Sequence, residues 1–335
     1  MSATPVAVLA VDGGNSKADL ALVARDGSLL AAVRGPTISH QQVGIEEGMA
    51  RLRQLVARAA TRAGLQLTIG QPLAEVGLYC VAGADFPREV RLLDSALTRT
   101  GLASTTTVLN DTLAALRAGT DERYGVVLIC GAGVNAAAIG IDGRVARLAA
   151  LGDISGDAGG GRDLGMAALG AAVRARDGRG PRTLFERLVP QFFGLTRPEA
   201  VTRALYDGRI DEERLRELAP VVFAAAREGD GVARSILDTM ADELATMAIA
   251  MIRRVRMLRR EFDVVLAGGV FANQDPPFYA RLAEAIQRTA PGARMRPLQV
   301  RPLLGAGLLG LERLNPPAPD DAASRLRRAF AELGN

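Results

Sequence analysis

Near the start of the chain, Asp12-Gly13-Gly14-Asn15-Ser16-Lys17 separates two apolar runs that together reach from Val6 to Val23. Two adjacent glycines let a backbone turn sharply and approach a ligand, and exposed amides, a hydroxyl and an ammonium are the donors a phosphate needs. Asp12 closes the first apolar run. A buried strand seldom ends in an acid without a partner, which favours a metal or phosphate role for Asp12 over that of an ordinary turn aspartate. Lys17 is the lone lysine among 41 basic residues, so its place in the glycine hairpin carries weight. A second acid, Asp111, follows Asn110 where an apolar run gives way to a helical pattern. A carboxylate at such a strand tip can take a proton from an attacking hydroxyl, and the same position suits a helix cap; the two roles are compatible.

The elements that must hold these groups follow from periodicity. A Walker loop or a dinucleotide loop should open a helix. Here residues 18–23 read as a returning strand, followed by a turn at Asp26-Gly27 and a third strand over 28–33. Ile45, Met49, Leu52, Val56, Ala59 and Ala63 then recur at helical spacing. A strand over 74–81, a helix over 87–100, a strand over 105–109 and a helix over 112–118 complete a β-β-β-α-β-α-β-α order. The opening unit then recurs: an apolar run over 124–130, the loop Gly131-Ala132-Gly133, a second run over 134–141, a turn at Asp142-Gly143 and a third strand over 144–148. The repetition predicts an α/β protein of two similar domains, 1–117 and 118–335, facing each other across a nucleotide cleft with both glycine loops aimed at one ligand.

In the second half, the glycine-rich stretch 152–165 reads as a loop running into a helix over 166–176. Short helices follow, then one long helix marked by apolar residues from Val232 to Leu258. Its tail of Arg253, Arg254, Arg256, Arg259 and Arg260 reads as a solvated face rather than an anion site. A buried strand over 263–267 ends at Gly268-Gly269-Val270-Phe271-Ala272-Asn273. Helices over 278–289 and 305–314 and a charged terminal helix complete the chain.

Composition narrows the function classes. With 335 residues, 48% apolar but only 4% aromatic, the chain can build two aliphatic cores. The net charge is +4, yet the arginines are dispersed without interleaved aromatics, which argues against a nucleic-acid surface. Cys80 and Cys130 fall in strand-like runs and read as small buried hydrophobes, and the single histidine, His40, rules out a His/Cys metal cluster. With no basic leader before the first apolar run and no stretch of roughly 18 apolar residues, a cytoplasmic protein without membrane contact is expected.

With these motifs in hand, the chain resembles the N-acetylglucosamine kinase and BadF/BadG/BcrA/BcrD ATPase family, within the actin-like (ribonuclease H-like) superfamily of ATPases and sugar kinases. DGGNSK is similar to its first phosphate loop, Asn110-Asp111 to its catalytic corner and CGAGVN to its second phosphate loop. The segment Gly156 to Gly165 is similar to its sugar-binding GDEGSGxxIG stretch, and LAGGVFAN to its adenosine loop. The resemblance implies ATP and Mg2+ as cofactors and a hexosamine as substrate. Asp12 would orient magnesium through water. Gly13, Gly14, Asn15, Ser16 and Lys17 would hold the outer phosphates, with Gly131, Ala132 and Gly133 opposite them. Gly268, Gly269 and Asn273 would line the adenosine. Asp111 would be the general base, and Ser39, His40, Asn110, Gly156 and Asp157 would meet the sugar. Ala132 and Val134 stand where hydroxyl residues are usual, Ser39 where an asparagine usually contacts the sugar, Ala158 and Gly160 in place of the glutamate and serine, and Arg162-Asp163 in place of an aromatic pair. The implied partners are the sugar and ATP, with a homodimer left open. The alternative within the family is an activator or regulatory ATPase that does not phosphorylate sugar.

Overall fold

The computed structural model describes residues 5–68 and 70–333. The chain divides into two compact units: one is formed by the chain up to Arg123 together with the segment from Leu298 onward, and the other runs from Tyr124 to Pro297.

In the first unit, β1 (Val6–Gly13), β2 (Lys17–Val23) and β3 (Leu29–Pro36) form an antiparallel meander, and β4 (Ala74–Val81) and β5 (Ala103–Asn110) add in parallel beside β1. The order is β3-β2-β1-β4-β5. Parallel strands need crossovers, and helices provide them. After the short α1 (His40–Val43), α2 (Ile45–Arg62) leads into β4, and α3 (Pro87–Thr98) connects β4 to β5. Leu52, Leu55, Val56 and Ala59 of α2 pack against the face of the meander that carries Leu9, Val11, Leu20 and Leu22. α4 (Asp111–Gly119) begins on the residue after β5.

The second unit repeats the plan. β6 (Gly125–Cys130), β7 (Val134–Ile139) and β8 (Val145–Arg147) form the meander. The helices are α5 (Gly161–Arg176), α6 (Phe185–Phe192), α7 (Pro198–Tyr206), α8 (Ala219–Arg227) and α9 (Gly231–Arg254). β9 (Phe262–Ala267) then pairs in parallel with β6, and α10 (Pro276–Thr289) leads to β10 (Ala293–Pro297) at the sheet edge. The order β10-β9-β6-β7-β8 matches that of the first sheet strand for strand. The repeated α/β meander is thus two sheets of identical topology. Among the described residues, no helix is long and apolar enough to cross a membrane.

Two features differ from expectation. The sequence repeat groups residues 298–335 with the second half, but α11 (Leu303–Leu311) and α12 (Ala322–Leu333) belong to the first unit. All nine residues of α11 are buried, and the helix lies so close to α4 that a Cβ on Gly305 would fall 1.9 Å from the Ala114 carbonyl oxygen. β10 was not foreseen. It is a five-residue edge strand carrying two arginines and ending in proline, a composition that protects sheet edges and hides their β character.

Candidate active site

In the first unit the functional groups gather at one end of the central strand. Residues paired in register share a sheet face, so Arg34, Asp19, Asp12 and Cys80 form a row across β3, β2, β1 and β4. Asp19 is 2% exposed, and Arg34 answers it with a two-pronged ion pair, Nε to Oδ1 at 2.7 Å and Nη2 to Oδ2 at 2.9 Å. Among the described residues Asp12 has no such bidentate partner. Burial, then repulsion from Asp111 and Asp19, push its carboxyl from 3.8 up to about 8, although Lys17 and Arg34 pull the other way. Electrostatically, Asp12 and Asp111 therefore belong to one site, reached from the tip of β1 and the start of α4. Burial followed by the same two acids also raises the Cys80 thiol, which stays inert behind them.

The hairpin itself is open. Asn15, Ser16 and Lys17 are exposed, while Gly14 closes the turn by donating its N–H to the Lys17 carbonyl at 2.9 Å. Thr37, just past the end of β3, braces it by donating Oγ1–H to the Gly14 carbonyl at 2.8 Å. Ser39 is buried and donates to Asn15 Oδ1 at 2.7 Å, which ties the expected sugar contact to the phosphate hairpin. His40 lies beside Gly83 with Nδ1 buried and without a hydrogen-bond partner.

Asn110 and Asp111 part company in role. Asn110 is buried, and its Oδ1 caps α4 by accepting from the Thr112 N–H at 3.2 Å and also from the Thr112 hydroxyl, while its Nδ2 donates to Asp85 at 2.9 Å. The cap is therefore Asn110 rather than Asp111. Asp111, the first helical residue, keeps an intermediate exposure and sits where the helix N-terminus favours a carboxylate.

In the second unit three expected glycine segments converge. Gly131 donates its N–H to the Gly133 carbonyl at 2.9 Å, making a tight loop with Ala132 and Gly133 exposed. The start of α5 buttresses it: the N–H of Gly161 reaches the Gly131 carbonyl at 2.7 Å, and that of Arg162 reaches the Ala132 carbonyl at 3.0 Å. Gly160 has φ +94°, and a Cβ there would lie 2.5 Å from both the Ala132 oxygen and the Gly133 Cα. Gly268 has φ +104° and abuts the Cys130 backbone, so the loop after β9 is held against the loop after β6, with Gly269 open beside it. Burial raises the Cys130 thiol to about 12. Asn273 spends its amide on the Val270 carbonyl at 3.1 Å, shaping the turn from within. Gly156 and Asp157 lie in the exposed connection before α5, where Asp157 accepts from the Ser155 hydroxyl. Helix α5 starts at Gly161, five residues before its expected beginning, because Asp163 accepts the Gly159 N–H at 2.6 Å and fixes the first turn.

Thr37, Asp85, Asp19 and Arg34 were not singled out from sequence. The signal for Asp19 was available, since an acid inside an otherwise buried strand calls for a partner. Asp85 follows a Gly-Ala pair in a loop without periodicity and left no trace.

No group of three or more His, Cys, Asp or Glu side chains among the described residues forms a metal cage. The donor set still suits magnesium, which binds through one or two carboxylates, waters and phosphate oxygens. Asp12 is the acid that burial and two neighbouring carboxylates leave under-compensated, and it would hold such an ion through water.

Comparison with known proteins shows the family and the fold. The chain is 29% identical over 269 residues to the N-acetylmuramic acid/N-acetylglucosamine kinase of Clostridium acetobutylicum, covering 79% of this chain and 86% of that one. It is 26% identical to the N-acetyl-D-glucosamine kinase of Dictyostelium discoideum, over 90% and 97% of the two chains. A Chromobacterium violaceum structure provisionally described as an N-acetylglucosamine kinase superposes with a TM-score of 0.71 at 23% identity, covering 92% of this chain and 99% of that one. A glucokinase of the ROK family from Streptomyces griseus, solved with glucose and AMPPNP, shares the fold at a TM-score of 0.52 and 18% identity, over 90% and 97%. Residues 9–310 match the BadF/BadG/BcrA/BcrD ATPase family, and the chain belongs to it.

Proposed function

We propose that this protein is an ATP-dependent sugar kinase that phosphorylates a hexosamine of the N-acetylglucosamine type. The observation that carries the reading is the convergence of Asp111 and Asp12 at one end of the first sheet, beside an open phosphate-type hairpin. The names borne by the two curated relatives support the substrate class.

Phosphoryl transfer needs the γ-phosphate held, its charge neutralised and an acceptor hydroxyl aligned in line. In this reading the Gly13–Lys17 hairpin offers amides, a hydroxyl and an ammonium to the outer phosphates; within the second unit, the Gly131–Gly133 loop has exposed backbone suited to the same chemistry. Gly269 leaves backbone open to the adenosine, and Gly268 lets the loop sit against Cys130. Magnesium, when bound, would neutralise charge on the phosphates, and Asp12 would hold it. Asp111 accepts the proton of the sugar hydroxyl as that oxygen attacks. Ser39, braced on Asn15, and His40, whose buried Nδ1 lacks a partner among the described residues, supply sugar contacts. Asn110 acts by holding the corner, since both ends of its amide are already used.

A coupled ADP-release assay over amino sugars and neutral hexoses tests the proposal. N-acetylglucosamine or glucosamine should stimulate release, and Asp111→Asn should lower turnover by about 10²–10⁴-fold, the range for losing a general base. ADP release that no sugar stimulates, together with an Asp111→Asn variant unchanged in rate, refutes it. Magnesium-ATP raising the melting temperature without any turnover would favour the regulatory alternative, for which Ala132 and Val134 are the relevant replacements.

A further inference from the structure

The end of α9 carries an arrangement that phosphoryl transfer does not use. Arg253, Arg256, Arg259 and Arg260 line one depression of about 510 Å³, with Leu258 as the remaining lining residue. All four are exposed, and none makes an ion pair or a side-chain hydrogen bond among the described residues. Arginines such as Arg34, Arg117 and Arg234, by contrast, are held in ion pairs. The acids nearest in sequence are already engaged, because Glu261 pairs with Arg294 at 3.2 Å and Asp263 with Arg294 and Arg296 at 3.0 and 3.3 Å.

A helix C-terminus favours cations in its last turn, which accounts for Arg253 and Arg254 but not for the three arginines beyond it. The backbone adds an independent observation. Helices α2, α6, α7 and α8 all end in the same double hydrogen-bond motif, with glycine in the left-handed position: Gly64, Gly194, Gly208 and Gly229, at φ +69°, +69°, +69° and +88°. Helix α9 ends in that motif too, with the Met257 N–H on the Ile252 carbonyl at 3.0 Å and the Arg256 N–H on the Arg253 carbonyl at 3.1 Å. Its left-handed residue, at φ +60°, is Arg256. A side chain there is strained where glycine is not. This one contributes a guanidinium to a depression that three others already line.

From this we infer that the turn after α9 is a binding site for a small molecule bearing two or more linked phosphoryl groups. Guanidinium groups engage phosphate oxygens through paired hydrogen bonds, and four unpaired cations gathered in one depression match a multiply charged chain better than a single phosphate. Free polyphosphate and the tail of a nucleotide share this chemistry.

The test is phenylglyoxal modification of the full-length protein with peptide mapping, in the absence of magnesium, with inorganic tripolyphosphate as the probe and ATP in a parallel arm. Arg182, whose side chain is 87% exposed, is the internal control. Tripolyphosphate should slow modification of Arg253, Arg256, Arg259 and Arg260 by about fivefold or more while leaving Arg182 unchanged. ATP protecting at lower concentration would assign the nucleotide tail, and equal protection would assign the bare phosphate chain. Arg256→Gly restores the residue that the other four helix ends use. It should hold or raise the melting temperature while raising the tripolyphosphate concentration for half-protection of the other three arginines about fivefold or more. Equal protection of Arg182, equal protection by sulfate at matched ionic strength, stronger protection by duplex DNA, or an Arg256→Gly variant that protects as well as wild type would each overturn the inference.

Discussion

Gly160 stands where the family's sugar-binding stretch usually has serine, so Gly160→Ser looks like a restoration. The structure says it is damage. At φ +94° a residue with a Cβ enters the left-handed region, at a cost of roughly 1–2 kcal/mol. The new Cβ would also lie 2.5 Å from the Ala132 oxygen and the Gly133 Cα, and an overpacking strain of that kind costs about 1–3 kcal/mol. The sum is about 2–5 kcal/mol, which for a unit of this size corresponds to a melting temperature lower by roughly 5–15 °C. The least costly relief moves the Gly131–Gly133 loop outward, breaking the 2.7 Å and 3.0 Å bonds that Gly161 and Arg162 donate to it. The KM for ATP should then rise about tenfold, as expected when loop amides worth about 1–2 kcal/mol are lost. Differential scanning fluorimetry and steady-state kinetics read both effects. A serine variant melting within about 1 °C of wild type with an unchanged KM for ATP would refute the claim that Gly160 is demanded by backbone and space.

Three further outcomes follow from the first unit. With chelator present and no nucleotide, Asp12 is protonated in the folded protein up to about pH 8 but only to about 3.8 when unfolded. Its contribution to stability is therefore full below pH 4 and is lost as pH rises toward 8. Urea titrations should show Asp12→Asn flattening that decline and exceeding wild type at pH 8.5, and parallel slopes in the two proteins would contradict the assignment. Arg34→Leu leaves Asp19 buried beside Asp12 without its partner; because the arginine end of the pair is partly solvated, the unfolding free energy should fall by about 1–3 kcal/mol in denaturant titration, and an unchanged value would show that solvent reaches Asp19. Lys17→Ala removes the hairpin's ammonium from a solvent-exposed position. It should raise the KM for ATP several-fold with a smaller effect on the KM for sugar, and the reverse pattern would move Lys17 to the sugar side.

The duplicated meander was legible because each copy announces itself three times, by an apolar run, a glycine loop and a returning run with an Asp-Gly turn. Asn110-Asp111 was legible as a corner, although sequence could not tell that the cap is the Asn110 amide rather than the Asp111 carboxylate. The Asp19–Arg34 pair was hidden because register, not spacing, puts residues fifteen apart on one row. The early start of α5 was hidden behind three consecutive glycines that propensity scores as loop, whereas Asp163 and the Gly131–Gly133 loop fix them as a helix start. The partnership of α11 was illegible for a different reason. Leu303–Leu311 is apolar on every side, so its pattern declares burial without saying against which sheet.

That partnership has a consequence for synthesis. A ribosome releases β1 through α4 first, but α11, which packs on β1, β4 and α4, emerges only after the whole of the second unit. The first sheet must therefore wait, with the α11 side of its central strand uncovered, while the intervening unit is made and is free to fold on its own contacts. The order of completion on the ribosome is then the reverse of the order of translation, and a nascent chain stalled before residue 303 should present its phosphate hairpin on an unfinished scaffold.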